Sequence, residues 1–64
     1  MDWEHTVSDG CKVATSNAGY EVVEMYEDLP NGDQYQLNYE GYFVCTGSSM
    51  AGLQLYALDH ARVH

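Results

Sequence analysis

Basic residues are almost missing from this sequence. Of 64 residues only Lys12 and Arg62 are basic, against ten acidic ones, and the formal charge is -8. That lack excludes direct binding to nucleic acid or anionic lipid as the main activity, because Lys and Arg hold both ligands at their phosphates. A basic partner is the natural complement, with metal cations second. Charge this one-sided also opposes compaction through self-repulsion. Long apolar runs are missing too, since no stretch approaches the ~18 residues of a membrane helix. The opening "MDWEHTVSDG" has neither the positive n-region nor the apolar h-region of a signal peptide. A soluble, intracellular protein is expected. Cys11 and Cys45 are too few for the disulfide framework of a secreted mini-protein, so free thiols are expected.

Catalytic and cofactor motifs are equally scarce. No H-E-x-x-H, no glycine-rich phosphate loop and no Ser/His/Asp order stands out. A pocket of ~300 Å³ or more is hard to build in a domain this small. The expectation is a non-enzymatic protein with no catalytic residues and no cofactor. His60 and His64 lie four apart, a spacing that places both on one helix face, with Cys11, Cys45 and His5 available to complete a tetrahedral set. The soft ligands are scattered and no C-x-x-C is present. The two histidines are read instead as cations at a helix C-terminus, and no metal is expected. "NGDQYQLNYE" lacks the regular oxygen spacing of a calcium loop.

What is present is a single small domain, spanning 1–64. A chain this short buries about 60% of its unfolded surface, so its stability is marginal. Hydrophobic residues make up 45% and there are six tyrosines, residues that suit half-exposed sheets and interfaces. "DWEHTV" alternates, with Trp3, His5 and Val7 on one side. "SDG" is a turn, "CKVAT" a short strand and "SNAG" a second turn. The valines and tyrosines of residues 20–28 favour a strand, although Glu21, Glu24, Glu27 and Asp28 also fit a helical stripe. "LPNGD" is a turn signal. "QYQLNYEGYFVC" then alternates as one strand, with Tyr35, Leu37, Tyr39, Phe43 and Cys45 on the apolar face and Gly41 as a bulge or bend.

Residues 46–64 read as a helix, with Ser48 or Ser49 as N-cap. Met50, Leu53, Ala57 and Ala61 form the core stripe, flanked by Leu58. Leu55, Tyr56 and Val63 lie off it, and either cover more sheet or form a self-association surface, leaving monomer and homodimer open. The expected architecture is α+β: a three- or four-stranded antiparallel sheet with one C-terminal helix on its Tyr35/Leu37/Tyr39 face.

Nine of the ten acids precede that helix. Six of them, Glu21, Glu24, Glu27, Asp28, Asp33 and Glu40, fall in "EVVEMYEDLPNGDQYQLNYE", which holds no basic residue. The plain reading of such acids is a solvated surface, but a surface built for solubility mixes signs. Alternate strand residues stand ~6.7 Å apart and neighbouring strands ~4.8 Å, comparable with phosphate spacing on duplex DNA. Glu21 and Glu27 share a face while Glu24 points away, so imitation of DNA requires strand edges and loops. Tyr26 and Tyr42 are candidate aromatic contacts beside these charges.

In size, acidity and αβ pattern, with the acidic hairpin "YEVVEMYEDLPNGDQYQLNYE", the chain resembles the small acidic phage anti-CRISPR proteins that imitate double-stranded DNA. Within that class it is most similar to inhibitors of type I surveillance complexes. The resemblance implies a phage- or mobile-element-encoded protein in the bacterial cytoplasm. It would occupy the basic groove of a CRISPR-Cas effector that reads the PAM-proximal duplex, and so block target recognition. The alternative is an acidic adaptor or antitoxin-like module that neutralises a basic protein without DNA-like geometry.

Overall fold

A computed structural model describes residues 1–63. Alternation from Trp3 to Ser16, interrupted only at Asp9-Gly10, folds the first part of the chain into a hairpin of β1 (Trp3–Ser8) and β2 (Cys11–Ser16). Both turn residues have positive φ, 53° and 81°, the pattern of a two-residue turn matched to strand twist. Ser16 closes the next turn: its Oγ accepts the N–H groups of Ala18 and Tyr20, at 3.2 and 3.0 Å. β3 (Tyr20–Glu24) follows, then an irregular loop, then β4 (Tyr35–Tyr39), β5 (Tyr42–Gly47) and α1 (Met50–Val63). The strands form one antiparallel sheet in sequence order.

The sheet has five strands rather than three or four. The extra strand arises at Glu40-Gly41, where φ values of 49° and 86° make a second two-residue turn. The expected continuous strand through Tyr35 and Cys45 is therefore a hairpin. A register shift between Leu37 and Asn38 adds a bulge beside Val44. The turn sets Tyr42 opposite Tyr39, so Phe43 pairs with Asn38, is 64% exposed and leaves the apolar face that alternation assigned to it. β3 also ends earlier than residue 28. Met25 N–H still donates to the Gln34 carbonyl, but beyond it Leu29, Asn31 and Asp33 fold back on themselves, with Gly32 at φ 86°.

The helix lies over β3, β4 and β5. Beneath it run the cross-strand row Ala14–Val22–Leu37–Cys45 and the pair Tyr20–Tyr39, whose row continues to the exposed Tyr42 at the sheet edge. Ala14, Tyr20, Val22, Leu37, Leu53 and Ala57 form the core, with Trp3, Tyr35, Tyr39, Val44, Cys45 and Met50 packed against it. Ser49 is the N-cap, its Oγ accepting the Gly52 N–H at 3.0 Å. The inward stripe differs from expectation at its C-terminal end: Ala61 and Leu58 are exposed, and His60 takes the inner place. His60 packs edge-on to Tyr20, with ring centroids 5.6 Å apart, and beside Tyr39 at 5.7 Å. Its Nδ1 lies 2.6 Å from the Tyr20 hydroxyl oxygen, and the imidazole tautomer decides which group donates. Of the last-turn cations expected at the helix end, Arg62 is exposed and paired with Asp59, while His64 lies outside the described residues.

At Gly47 the sheet comes close beneath the helix residue Leu53. A Cβ there would stand 2.9 Å from Leu53 Cδ2 and 3.0 Å from Cγ. Leu53 is buried in the core, so its displacement would disturb that packing. Gly47→Ala is expected to destabilise the fold by about 1–3 kcal/mol, read as a lower urea midpoint with an unchanged slope. An unchanged midpoint would mean that the helix can lift without cost.

The two cysteines are free. They sit on β2 and β5, three strand spacings apart, which is about 14 Å and beyond disulfide reach. Burial pushes the Cys45 thiol up from its ordinary value, and Asp33 adds to the shift.

Candidate functional site

The meander sorts the acidic residues to the two ends of the sheet. The Asp9-Gly10 turn and the β3–β4 loop share one end, which carries Asp9, Glu24, Glu27, Asp28 and Asp33. The turns at residues 17–19 and 40–41 share the other, with Asp2 and Glu40. Five residues of β4 separate the ends, about 17 Å. The six acids singled out in the sequence thus do not form one patch. Glu24, Glu27, Asp28 and Asp33 come together with Tyr26, whereas Glu40 and Tyr42 stand at the opposite end. Glu21 projects from the face of the sheet away from the helix. There its Oε1 accepts a hydrogen bond from Asn38 Nδ2 at 3.3 Å, and Gln36 Nε2 donates to Asn38 Oδ1 at 2.8 Å.

Their surroundings divide the acids into two kinds. Glu24 Oε1 accepts the Lys12 backbone N–H at 3.0 Å and so finishes the β2 edge of the ladder. Asp33 Oδ2 accepts from Thr46 Oγ1 at 2.7 Å and from Asn31 Nδ2 at 3.1 Å, which ties the loop to β5. These two carboxylates hold the fold together. Glu27, Asp28 and Glu40 are exposed and accept no side-chain hydrogen bond among the described residues. The sole ion pair among those residues is Asp59–Arg62, on the helix surface at 2.6 Å. No ammonium or guanidinium among those residues stands within ion-pair distance of a carboxylate at either acidic end.

Tyr26 and Tyr42 are the exposed aromatic residues beside these charges, at 75% and 76%. Tyr26 is fixed across the loop end: its hydroxyl donates to the Asp9 carbonyl at 3.0 Å. Asp9, a turn residue in the sequence and one of the nine acids ahead of the helix but not among the six singled out, is a direct neighbour of Tyr26. The meander brings its turn to the same end as the β3–β4 loop. A cleft of about 320 Å³ opens beside Tyr26, with Cys11, Val13, Val23 and Met25 among its lining residues and Asp9 and Glu24 also bordering it. Tyr42 lies on the edge strand next to the Glu40-Gly41 turn, with no hydrogen bond to its hydroxyl among the described residues.

The set weighed as metal ligands does not converge. His60 is turned onto the tyrosines, and Cys11 and Cys45 stand on distant strands. No group of three or more His, Cys, Asp or Glu side chains that could hold a metal ion occurs among the described residues. No helix among them is long and apolar enough to cross a membrane.

One buried ionisable group lies at the turn end, Tyr20. Burial pushes the Tyr20 phenol up from its ordinary value, with Tyr39 and Glu40 adding to the shift. A raised folded-state value means the fold favours the neutral phenol. That contribution is complete below the ordinary value of about 10 and is lost as pH rises through the folded value. Alkaline titration followed by tyrosinate absorbance is expected to show a late component that Tyr20→Phe removes. Disappearance of no late component on that substitution would place the abnormal phenol elsewhere.

Compared with known proteins, the chain matches no protein family, no curated protein and no solved structure.

Proposed function

We propose that the protein is a non-enzymatic inhibitor that binds a basic, nucleic-acid-binding groove by offering carboxylates in place of phosphates. The observation that carries this reading is the placement of acids without an ion-pair partner, among the described residues, at both ends of the sheet. The two acidic ends stand about 17 Å apart, about five base pairs of duplex at ~3.4 Å each. Glu27 and Asp28 at one end and Glu40 at the other would meet Lys and Arg side chains along such a groove. Tyr26 and Tyr42 supply flat, apolar contact beside them. The resemblance to anti-CRISPR proteins names the first groove to test, that of a type I surveillance complex.

The test is a DNA-binding titration of that purified complex, with and without this protein, at two salt concentrations. Loss of DNA binding at near-stoichiometric inhibitor, weaker at high salt, is the expected result. A bound protein that leaves DNA binding intact would favour the adaptor reading. The compact grouping of Asp9, Tyr26, Glu27 and Asp28 at the loop end supports that second reading, since it needs no DNA-like spacing. Absence of any interaction would remove this complex as the partner.

A further inference from the structure

Helix α1 carries two heptad seams, and the fold uses one. Met50, Leu53, Ala57 and His60 follow 3-4-3 spacing and face the sheet. Ala51, Leu55, Leu58 and Arg62 follow 4-3-4 spacing, about 150° away around the helix at 100° per residue. Leu55 is 66% exposed and Leu58 43%, and with Asp59 and Arg62 they line a shallow groove along the helix. A row of exposed leucines at coiled-coil spacing is not explained by packing within the chain.

We propose that this outer seam pairs with the same seam of a second copy, as an antiparallel two-fold helix pair. Charge selects this occupant. The helix holds Asp59 and Arg62, which pair and cancel, so its outer face is neutral on a molecule of charge -8. A basic partner is drawn to the acidic ends of the sheet and gains nothing at Arg62. A second copy meets the least repulsion here, because the carboxylates of both copies stay on the sheet and its turns. The seam is also self-complementary. With Leu55 opposite Leu58 of the other copy, and Leu58 opposite Leu55, two leucine layers fill the centre. The same register lays the Arg62 stem over the exposed Ala51 of the other copy and sets Asp59 beside its Gln54 amide. The result is an apolar centre with a polar rim. Antiparallel alignment also opposes the two helix dipoles.

This pairing is independent of any basic partner and responds to salt in the opposite sense. Salt screens the repulsion between two bodies of like charge, so association strengthens as ionic strength rises. The experiment is sedimentation equilibrium across protein concentration at low and high sodium chloride. A monomer–dimer equilibrium that shifts toward dimer at high salt is expected. Leu58→Glu is expected to weaken association by about tenfold or more, with the circular dichroism spectrum unchanged because the side chain is exposed. Val63→Gln, off the seam, is expected to leave association as it was. A wild-type protein monomeric at every concentration and salt would overturn the proposal. So would a dimer that dissociates at high salt, or one that survives Leu58→Glu.

Discussion

Leu37→Ala is expected to leave most molecules unfolded under mild conditions. Leu37 and Val22 are the largest fully buried side chains. Leu37 sits at the middle of β4, paired with Val22 on β3 and Cys45 on β5, in the core cluster that Leu53 and Ala57 of the helix complete. Truncating a leucine in such a place costs about 2–5 kcal/mol, the lost transfer energy plus the cavity left behind. A chain of this length has a total stability of roughly 3–10 kcal/mol. The core is thin and the chain repels itself, which places this protein toward the lower part of that range. The deletion therefore removes much or all of the stability. Urea unfolding followed by circular dichroism should show the midpoint falling toward zero denaturant. Phe43→Ala is the matched control: it deletes a larger apolar side chain, but one that is mostly exposed, and should move the midpoint little. Equal losses from the two substitutions would mean that Phe43, not the helix-covered face, anchors the sheet.

Where local chemistry and long-range order agreed, the fold was legible in the sequence. Alternation placed Trp3, His5 and Val7 on one side of the first strand, and register pairs them with Ser16, Ala14 and Lys12, which share one side of the second. Ser48 and Ser49 announced the helix start because a hydroxyl before an apolar run has one obvious use, and the structure makes Ser49 the cap. The helix was also expected on the correct face, since Tyr35, Leu37 and Tyr39 leave no other apolar surface of that size. The failures have physical causes. Asp9-Gly10 carries the familiar Asp-Gly signature, whereas Glu40-Gly41 asks a glutamate to adopt positive φ, an uncommon choice that alternation alone hides. Misreading that turn extended one strand, merged two, and put Phe43 on the wrong face. The inner helix stripe was misjudged at its end because histidine does not count as apolar. The edge-on fit of His60 to Tyr20 is an aromatic contact that hydropathy does not register. The candidate site suffered from the same missed turn. A single long strand would have kept Glu40 with Gln34, Gln36 and Asn38 as one polar edge of the acidic hairpin. The turn instead fixes Glu40 at the tip opposite Glu27 and Asp28.

That separation makes a charge-reversal experiment decisive. Glu27→Lys/Asp28→Lys is expected to weaken partner binding by about a hundredfold to a thousandfold, taking a few kcal/mol for two lost charge pairs and the new repulsion. Each reversal changes the charge by two, so most of the loss should appear in the association rate and should shrink at high salt. Neither side chain accepts a hydrogen bond among the described residues, so the fold should be unaffected. Relief of self-repulsion should even raise the melting temperature slightly. The same change at Glu24 or Asp33 would be ambiguous, because those carboxylates satisfy the Lys12 N–H and the Thr46 hydroxyl. Glu40→Lys then measures how far along the molecule the partner reaches. A groove that spans both ends, about 17 Å apart, should lose affinity from either. A partner gripping only the Tyr26 end should ignore Glu40→Lys, which would favour an adaptor over an imitation of DNA. Normal binding by both variants would place the interface away from the acidic ends, and the excess charge would then serve solubility alone.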